Sequence, residues 1–404
     1  GYVSFAVCSP SRAGLITGRY QNRFGYTRNI LLAPKDSTMG LPLGEQTLPE
    51  VLKKGGYKTK AIGKWHLGAH DLLIPENRGF DEFYGFLIGG HRYFPDDLTL
   101  NDLTEARKQM DGYITKIYDN GNRINTSRYL TDELSINAVK FIEDNSNNPF
   151  FLYLSYNAPH TPLQAKEEDL LRNMHIKGEK RRIYASMVTS MDDGIGLVLD
   201  KLEEMKIIDN TIVIFFSDNG GVEWYNFSDN GILRGIKGDF FEGGIRVPFT
   251  MQWPKKIKPG IIYDKPIIAL DVFATVASAA SAEKYIRNDI DGVDLLPYIN
   301  GDKPGAPHEY LYWQNPDKDI DVIRDGRYKY LRIKGDEYIF DLENDISEEI
   351  NIIDSSKPIY DRLKTQFKEW EKDMIDPVFM DLGMGKEYNK LNPERWFDTN
   401  QEKQ

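Results

Sequence analysis

Cysteine is nearly absent: Cys8 is the single one in 404 residues. No intramolecular disulfide can form, so the chain relies on its hydrophobic core and is not built in the disulfide-rich manner of many animal lysosomal enzymes. A bacterial origin is the expectation. No long apolar run interrupts a hydrophobic share of 40%, which excludes an evident membrane-spanning helix. Positive charge is also short, since 51 Lys and Arg face 62 Asp and Glu for a net charge of -11. Long-range attraction of nucleic acid or other polyanions is therefore not expected, and an anionic ligand would be drawn by clustered local cations. The length accommodates one large domain and a smaller one.

What is present starts at the rare residue. Cys8 opens the run Cys8-Ser9-Pro10-Ser11-Arg12-Ala13-Gly14-Leu15-Ile16-Thr17-Gly18-Arg19. A lone cysteine is usually a small buried hydrophobe. Here Ser9 reads as an N-cap and Pro10 as a first helical residue, so Cys8 is expected just before a helix N-terminus, where free N–H groups and the helix dipole favour negative charge. Arg12 adds a permanent cation in the first turn. Such a position suits an anion.

Other chemistry-bearing residues cluster past expected strand ends, where open α/β sheets place their sites. Tyr57 to Ile62 reads as a short strand, which puts Lys64 and His66 just beyond it. Pro149 to Tyr156 reads as a second strand leading to His160, whose flanking Pro159 and Pro162 are expected to hold the loop extended. Thr211 to Phe216 is an apolar, β-branched and aromatic run of the kind found in a buried parallel strand, and Ser217-Asp218-Asn219-Gly220-Gly221 follows it. An Asp-Asn pair there suits a hard cation, although the same residues also make ordinary turns. The stretch from Arg234 to Pro248 is rich in glycine and carries Lys237, a point charge on a segment that allows close backbone approach.

The run from Cys8 to Arg19 resembles the signature of the type I sulfatases, Cys-x-Pro-Ser-Arg with Thr-Gly and a basic residue at its end, at every fixed position. Gly56-Tyr57-Lys58-Thr59-Lys60-Ala61-Ile62-Gly63-Lys64-Trp65-His66 is similar to the second signature of that family. The resemblance spans nearly the whole chain and looks closest to the branch of arylsulfatase A and N-acetylgalactosamine-6-sulfatase. It implies an alkaline-phosphatase-like α/β fold, with a large mixed, mostly parallel sheet flanked by helices and a small C-terminal antiparallel sheet with a helix. It further implies that a maturation enzyme oxidises Cys8 to formylglycine, whose hydrate attacks sulfur. Ca2+, with Mg2+ as the alternative, would be held by residue 8, Asp218 and Asn219. Arg12 and Lys64 would stabilise the hydrate, His66 would help expel sulfate, and His160 with Lys237 would bind sulfate and protonate the leaving oxygen. The implied substrate is a sulfated carbohydrate or an aryl sulfate, and the implied location is periplasmic or secreted. Family members carry a strand ending in paired aspartates ahead of the cysteine motif, whereas Gly1 lies just before Cys8, so the expectation is a fragment of a longer enzyme.

Along the chain, Asp132 to Glu143, with Thr131 as N-cap, and Ser186 to Met205 read as amphipathic helices. Strand and helix signals alternate as in a sheet covered by helices. Residues 85–129 break that pattern, and Gly89-Gly90-His91-Arg92-Tyr93-Phe94 within them makes His91 and Arg92 candidates for substrate contact. Beyond Asn300-Gly301 the signals become short strands, at Glu309 to Trp313, Asp321 to Arg324, Tyr328 to Ile333 and Tyr338 to Leu342, followed by a helix from Ile359 to Lys372 and a polar tail after Asp381. A catalytic domain over residues 1–301 and a C-terminal subdomain over 302–404 are expected. Two rival readings stand beside the sulfatase. One is a phosphatase or phosphodiesterase of the alkaline phosphatase superfamily, which would use serine or threonine at the nucleophile position. The other is a non-catalytic sulfated-sugar binding protein.

Overall fold

The computed structural model describes residues 1–287 and 289–395. Four of its helices matter to the site: α1 (Cys8–Thr17), α2 (Leu130–Asn145), α3 (Glu179–Glu204) and α4 (Lys357–Glu371). The strands are β1 (Lys58–Lys64), β2 (Glu82–Phe86), β3 (Ile117–Asp119), β4 (Asn122–Ile124), β5 (Phe150–Ser155), β6 (Val213–Phe216), β7 (Phe249–Gln252), β8 (Leu311–Asn315), β9 (Ile320–Arg324), β10 (Tyr328–Ile333) and β11 (Asp336–Asp341). They fall into two compact units. One comprises Gly1–Asn29, Ile212–Glu223 and Asp229–Val378; the other comprises Ile30–Thr211, Trp224–Ser228 and the residues from Phe379 onward.

In the second unit a five-stranded sheet runs β4-β3-β2-β1-β5, with β1 parallel to both β2 and β5 and the β3–β4 pair antiparallel at one edge. Helix α2 buries Leu134, Ala138, Phe141 and Ile142, a stripe at helical spacing, and packs on β1 with α3 alongside it. Both amphipathic helices begin earlier than the sequence suggests. Tyr129 rather than Thr131 is the N-cap of α2, and α3 starts at Glu179. Strands β1 and β5 come close at Gly63, whose φ of 101° favours glycine and whose Cβ, if present, would lie 2.0 Å from the Ser155 carbonyl oxygen. Strand β1 therefore continues two residues past Ile62, and Lys64 is its last residue rather than a loop residue.

The first unit has its own core, in which Tyr2, Val3 and Phe5 pack with Trp313, Val322, Leu331, Ile339, Leu363 and Phe367. The indole N–H of Trp313 donates to the Val3 carbonyl at 2.7 Å. The C-terminal sheet, β11-β10-β9-β8, is antiparallel throughout and is covered by α4 through Leu363, Phe367 and Trp370, as expected. Because its core is shared with residues 2–6, the compact unit runs across the expected boundary at 301. A second correction concerns β6. It pairs antiparallel with β7, and its apolar residues are only partly covered, Phe215 being 38% exposed. Continuous β-branched character reports strand propensity, not strand direction. Part of the expected polar tail is helical over Gly385–Leu391, anchored by buried Tyr388 on Asp36; the tail beyond residue 395 lies outside the described residues. No helix among the described residues is long and apolar enough to cross a membrane.

Candidate active site

In the first unit, Cys8 is itself the first residue of α1, and the N-cap is Val7 in an extended conformation. Ser9 and Pro10 thus lie inside the first turn instead of starting it. The reason is local: the Ser9 hydroxyl bonds the Tyr26 hydroxyl at 2.9 Å, its N–H donates to Asn29 Oδ1 at 3.2 Å, and Pro10 occupies a position that needs no N–H donor. Every residue of α1 is buried, which fixes Cys8 and Arg12 one turn apart on a rigid element.

Arg12 donates from Nε and Nη2 to Asp218 Oδ2 at 2.9 and 2.8 Å. Lys237 Nζ lies 3.0 Å from Cys8 Sγ. Burial works to lower the Lys237 pKa, but the neighbouring Cys8 side chain and the Asp218 carboxylate outweigh it and hold the ammonium above its ordinary value. The backbone is pinned on both sides of this lysine: Lys237 N–H donates to the Gly221 carbonyl at 3.0 Å, and Gly238 N–H donates to the Ala6 carbonyl at 2.9 Å. Cys8, Arg12, Asp218 and Lys237 therefore converge, although Lys237 is 229 residues from Cys8 in the chain.

Asn219 is buried and its Oδ1 has no hydrogen-bond partner, while its Nδ2 donates to the Gly220 carbonyl at 2.8 Å. An orphaned amide oxygen beside a carboxylate matches the donor chemistry of a hard cation, which takes six to eight oxygens when calcium and would find two here. Among the described residues no group of three His, Cys, Asp or Glu side chains converges to hold a metal. The turn that carries Asp218 and Asn219 is seated tightly, since a Cβ on Gly220 would lie 1.8 Å from the Gly243 carbonyl oxygen.

In the second unit, Lys64 and His66 are buried at the end of β1. Trp65 N–H and His66 N–H donate to the Phe86 and Leu87 carbonyls at 3.0 and 3.2 Å, extending the β1–β2 pairing past the strand. His66 turns out of it at a φ of 60°. Its ring rests on Gly89, where a Cβ would lie 2.8 Å from Cε1 and 2.9 Å from Nε2. His160 is partly buried in a turn rather than an extended loop, its N–H donating to the Asn157 carbonyl at 2.7 Å. Proline restricts φ but does not prevent such a turn. Its Nδ1 donates to the Thr161 carbonyl at 2.7 Å, so in the neutral ring Nε2 is the basic nitrogen.

The candidates in the loop region separate. Arg92 has a 45% exposed side chain, 3.7 Å from Asp97. His91 is fully buried, with Nδ1 against the Arg92 carbonyl, Nε2 against the Thr115 carbonyl, both at 2.9 Å, and its ring 4.9 Å from that of Phe86. It is a core residue, and the expectation of substrate contact fails for it because both ring nitrogens face backbone carbonyls in the interior, the neutral ring donating to one of them. Two supporting features escaped the sequence reading. Gly89 was visible only as half of a Gly-Gly pair, and the residues holding the Lys237 segment in place, Glu242, Lys329 and Glu348, carried one faint signal: Lys329 shares a strand face with the apolar Leu331.

A family model described as Sulfatase matches residues 1–282, and one described as N-sulphoglucosamine sulphohydrolase, C-terminal, matches residues 237–373. An uncharacterised sulfatase of Escherichia coli (strain K12), YdeN, is 33% identical over 370 residues, covering 84% of this chain and 62% of its own length. Human N-acetylgalactosamine-6-sulfatase is 33% identical over 312 residues, covering 74% of this chain and 58% of its own length. The chain thus spans about three fifths of the curated relatives it matches. The solved structure of Ps i-CgsB in complex with k-i-k-neocarrahexaose superposes with a TM-score of 0.87 at 35% identity, covering 97% of this chain and 88% of that one. The expected alkaline-phosphatase-like α/β fold is thereby borne out.

Proposed function

Because the chain belongs to the sulfatase family, we propose that it hydrolyses sulfate esters, that its substrate is a sulfated carbohydrate, and that residue 8 acts after conversion to formylglycine. Formylglycine supplies a hydrated aldehyde as the nucleophile toward sulfur, and a divalent cation held by Asp218 and Asn219, calcium by preference, supplies Lewis-acid stabilisation of the sulfuryl oxygens. The observation that carries the reading is Lys237 Nζ at 3.0 Å from the side chain of residue 8, on a backbone fixed from both sides. A cation held there needs no reorganisation as negative charge builds on a sulfuryl group, which is the condition for effective electrostatic stabilisation.

Arg12 spends its fork on Asp218, which keeps that carboxylate oriented and balances its charge within the site. Lys64 and His66, buried at the end of a strand, are assigned to the hydrate and to sulfate release. His160, whose Nδ1 donates to a carbonyl, would give a proton from Nε2 to the leaving oxygen as the imidazolium and be left as the neutral Nδ1–H ring. Export to the periplasm or beyond belongs to the same reading and is checked by fractionating the source cells. Support for a sugar substrate comes from the k-i-k-neocarrahexaose bound to Ps i-CgsB, a relative at 35% identity.

The experiment is expression with a formylglycine-generating enzyme, mass analysis of the peptide holding residue 8, and turnover of an aryl sulfate against the matching aryl phosphate. Formylglycine with sulfate-selective turnover is expected. Phosphate-selective turnover would transfer the chain to the phosphatase reading, and matured protein that binds sulfated sugar without turnover would make it a binding protein.

A further inference from the structure

The segment that presents Lys237 is folded back on itself. Gly235 turns at a φ of 87°, and the Gly243 N–H donates to the Arg234 carbonyl at 2.7 Å, so the two ends of residues 234–243 cross. At the crossing there is no room for a side chain: a Cβ on Gly243 would lie 2.3 Å from the Gly235 carbonyl oxygen, and one on Gly244 would lie 2.0 Å from that of Asp239. Whatever fixes this crossing fixes the bearing of Lys237.

Glu348 grips both sides of it. Its carbonyl accepts from Arg234 Nη1 at 2.6 Å, and its carboxylate Oε2 accepts from the Glu242 N–H at 2.6 Å. Its other oxygen pairs with Lys329 Nζ at 2.8 Å, and the same ammonium reaches Glu242 Oε1 at 3.0 Å. Glu242 Oε2 is held in turn by the Tyr2 hydroxyl and by Arg324 Nη1 at 3.4 Å. Glu242, Lys329 and Glu348 are all 0% exposed. Glu348 also sits at a φ of 56°, a conformation that a non-glycine residue keeps only where its surroundings enforce it. Buried charges of this kind are costly unless paired, and a simple hydrophobic contact would hold the sheet to the core equally well. Their specific effect is to lock one geometry of the 234–244 crossing onto β9 and β10.

We propose that Glu348 and Lys329 are positioning residues for Lys237: the C-terminal sheet clamps the crossed segment so that the lysine amine is aimed at residue 8. The assignment rests on the sulfatase reading for what Lys237 does, and on geometry alone for how it is held. The atoms transmitting it are contiguous, from Lys329 through both carboxylates and the close-packed glycines to Gly238 and Lys237.

The test is a double-mutant cycle on matured protein with an aryl sulfate. Glu348→Ala is expected to lower kcat/KM by about tenfold in the native background, as misplacing a fixed charge does. It should lower it by less than about twofold when Lys237 is already alanine, because both changes then act through one group. Glu348→Gln, which keeps the acceptor for the Glu242 N–H, should recover most of the loss. Equal factors in the two backgrounds overturn the proposal. Hydrogen exchange on unmatured Glu348→Ala protein supplies a readout that needs no turnover: faster exchange by about tenfold is expected over residues 234–246 while β8 to β11 stay protected. Acceleration spread over the whole sheet, or none in the segment, overturns it. If matured wild-type protein turns over no sulfate ester, the sulfatase reading falls, and the exchange result still decides the clamp.

Discussion

Replacing His91 by phenylalanine separates a core histidine from a ligand-binding one. The ring is fully buried and packs 4.9 Å from Phe86, so a phenyl ring keeps the shape while removing the ring nitrogens that face the Arg92 and Thr115 carbonyls. A neutral imidazole donates to one of the two, and leaving a buried acceptor unmet costs about 1–3 kcal/mol. Burial, only partly offset by the two carbonyls, lowers the His91 pKa from 6.5 to about 4. The unfolded chain therefore takes up a proton near pH 6.5 that the folded chain refuses until about pH 4, more protons are bound unfolded, and stability rises with pH through that window. At about 1.4 kcal/mol per pH unit, the wild type forfeits roughly 3 kcal/mol on acidification from 6.5 to 4. At about 2.1 cal/mol/K of unfolding entropy per residue, a chain of 404 residues shifts by about 1.2 °C per kcal/mol, so that loss corresponds to roughly 4 °C. The variant, which lacks His91, does not suffer this loss. Melting curves by circular dichroism between pH 4 and 8 should show His91→Phe the less stable protein at pH 7 and the gap closing or reversing near pH 4. Its preference among sulfated sugars should match the wild type. Parallel melting profiles, or a changed substrate preference at equal stability, would refute the assignment of His91 to the core.

Lys237→Ala should reduce aryl sulfate turnover by about a hundredfold, the usual size of a lost charge stabiliser, with Lys237→Arg recovering little because a planar fork does not replace a point charge; steady-state kinetics decides it. Gly220→Ala forces a methyl group to within 1.8 Å of the Gly243 carbonyl oxygen, so the Asp218–Asn219 turn must shift, and calorimetric calcium titration should show weakened binding while Gly326→Ala, in open space, binds as wild type. Asp218→Asn removes the carboxylate that receives two hydrogen bonds from Arg12. It should depress both calcium affinity and turnover, and retention of both would remove Asp218 from the site.

The candidate residues were legible because each group of them is local. Cys8 and Arg12 are one helical turn apart, Lys64 and His66 flank a strand end, and Asp218 and Asn219 are adjacent. What misled was context. Ser9 and Pro10 carry helix-start signals, yet Val7 is the cap because Tyr26 and Asn29 satisfy the Ser9 hydroxyl and N–H from outside the helix. Thr211 to Phe216 signals a strand, but its antiparallel partner β7 lies more than thirty residues on, and no local pattern encodes that choice. His91 stands in a polar, aromatic loop sequence and is nevertheless buried, since the two carbonyls its ring nitrogens face belong to Arg92 and to Thr115, 24 residues away.

The sequence by itself determined the family signatures around Cys8 and Lys64 and the alternation of helices and strands, all of which depend on neighbours a few positions apart. Tertiary structure alone decided the bearing of Lys237. That rests on Gly221, Ala6, Glu242, Lys329 and Glu348, drawn from segments up to hundreds of residues apart, and on buried charges whose worth exists only once water has been excluded from around them.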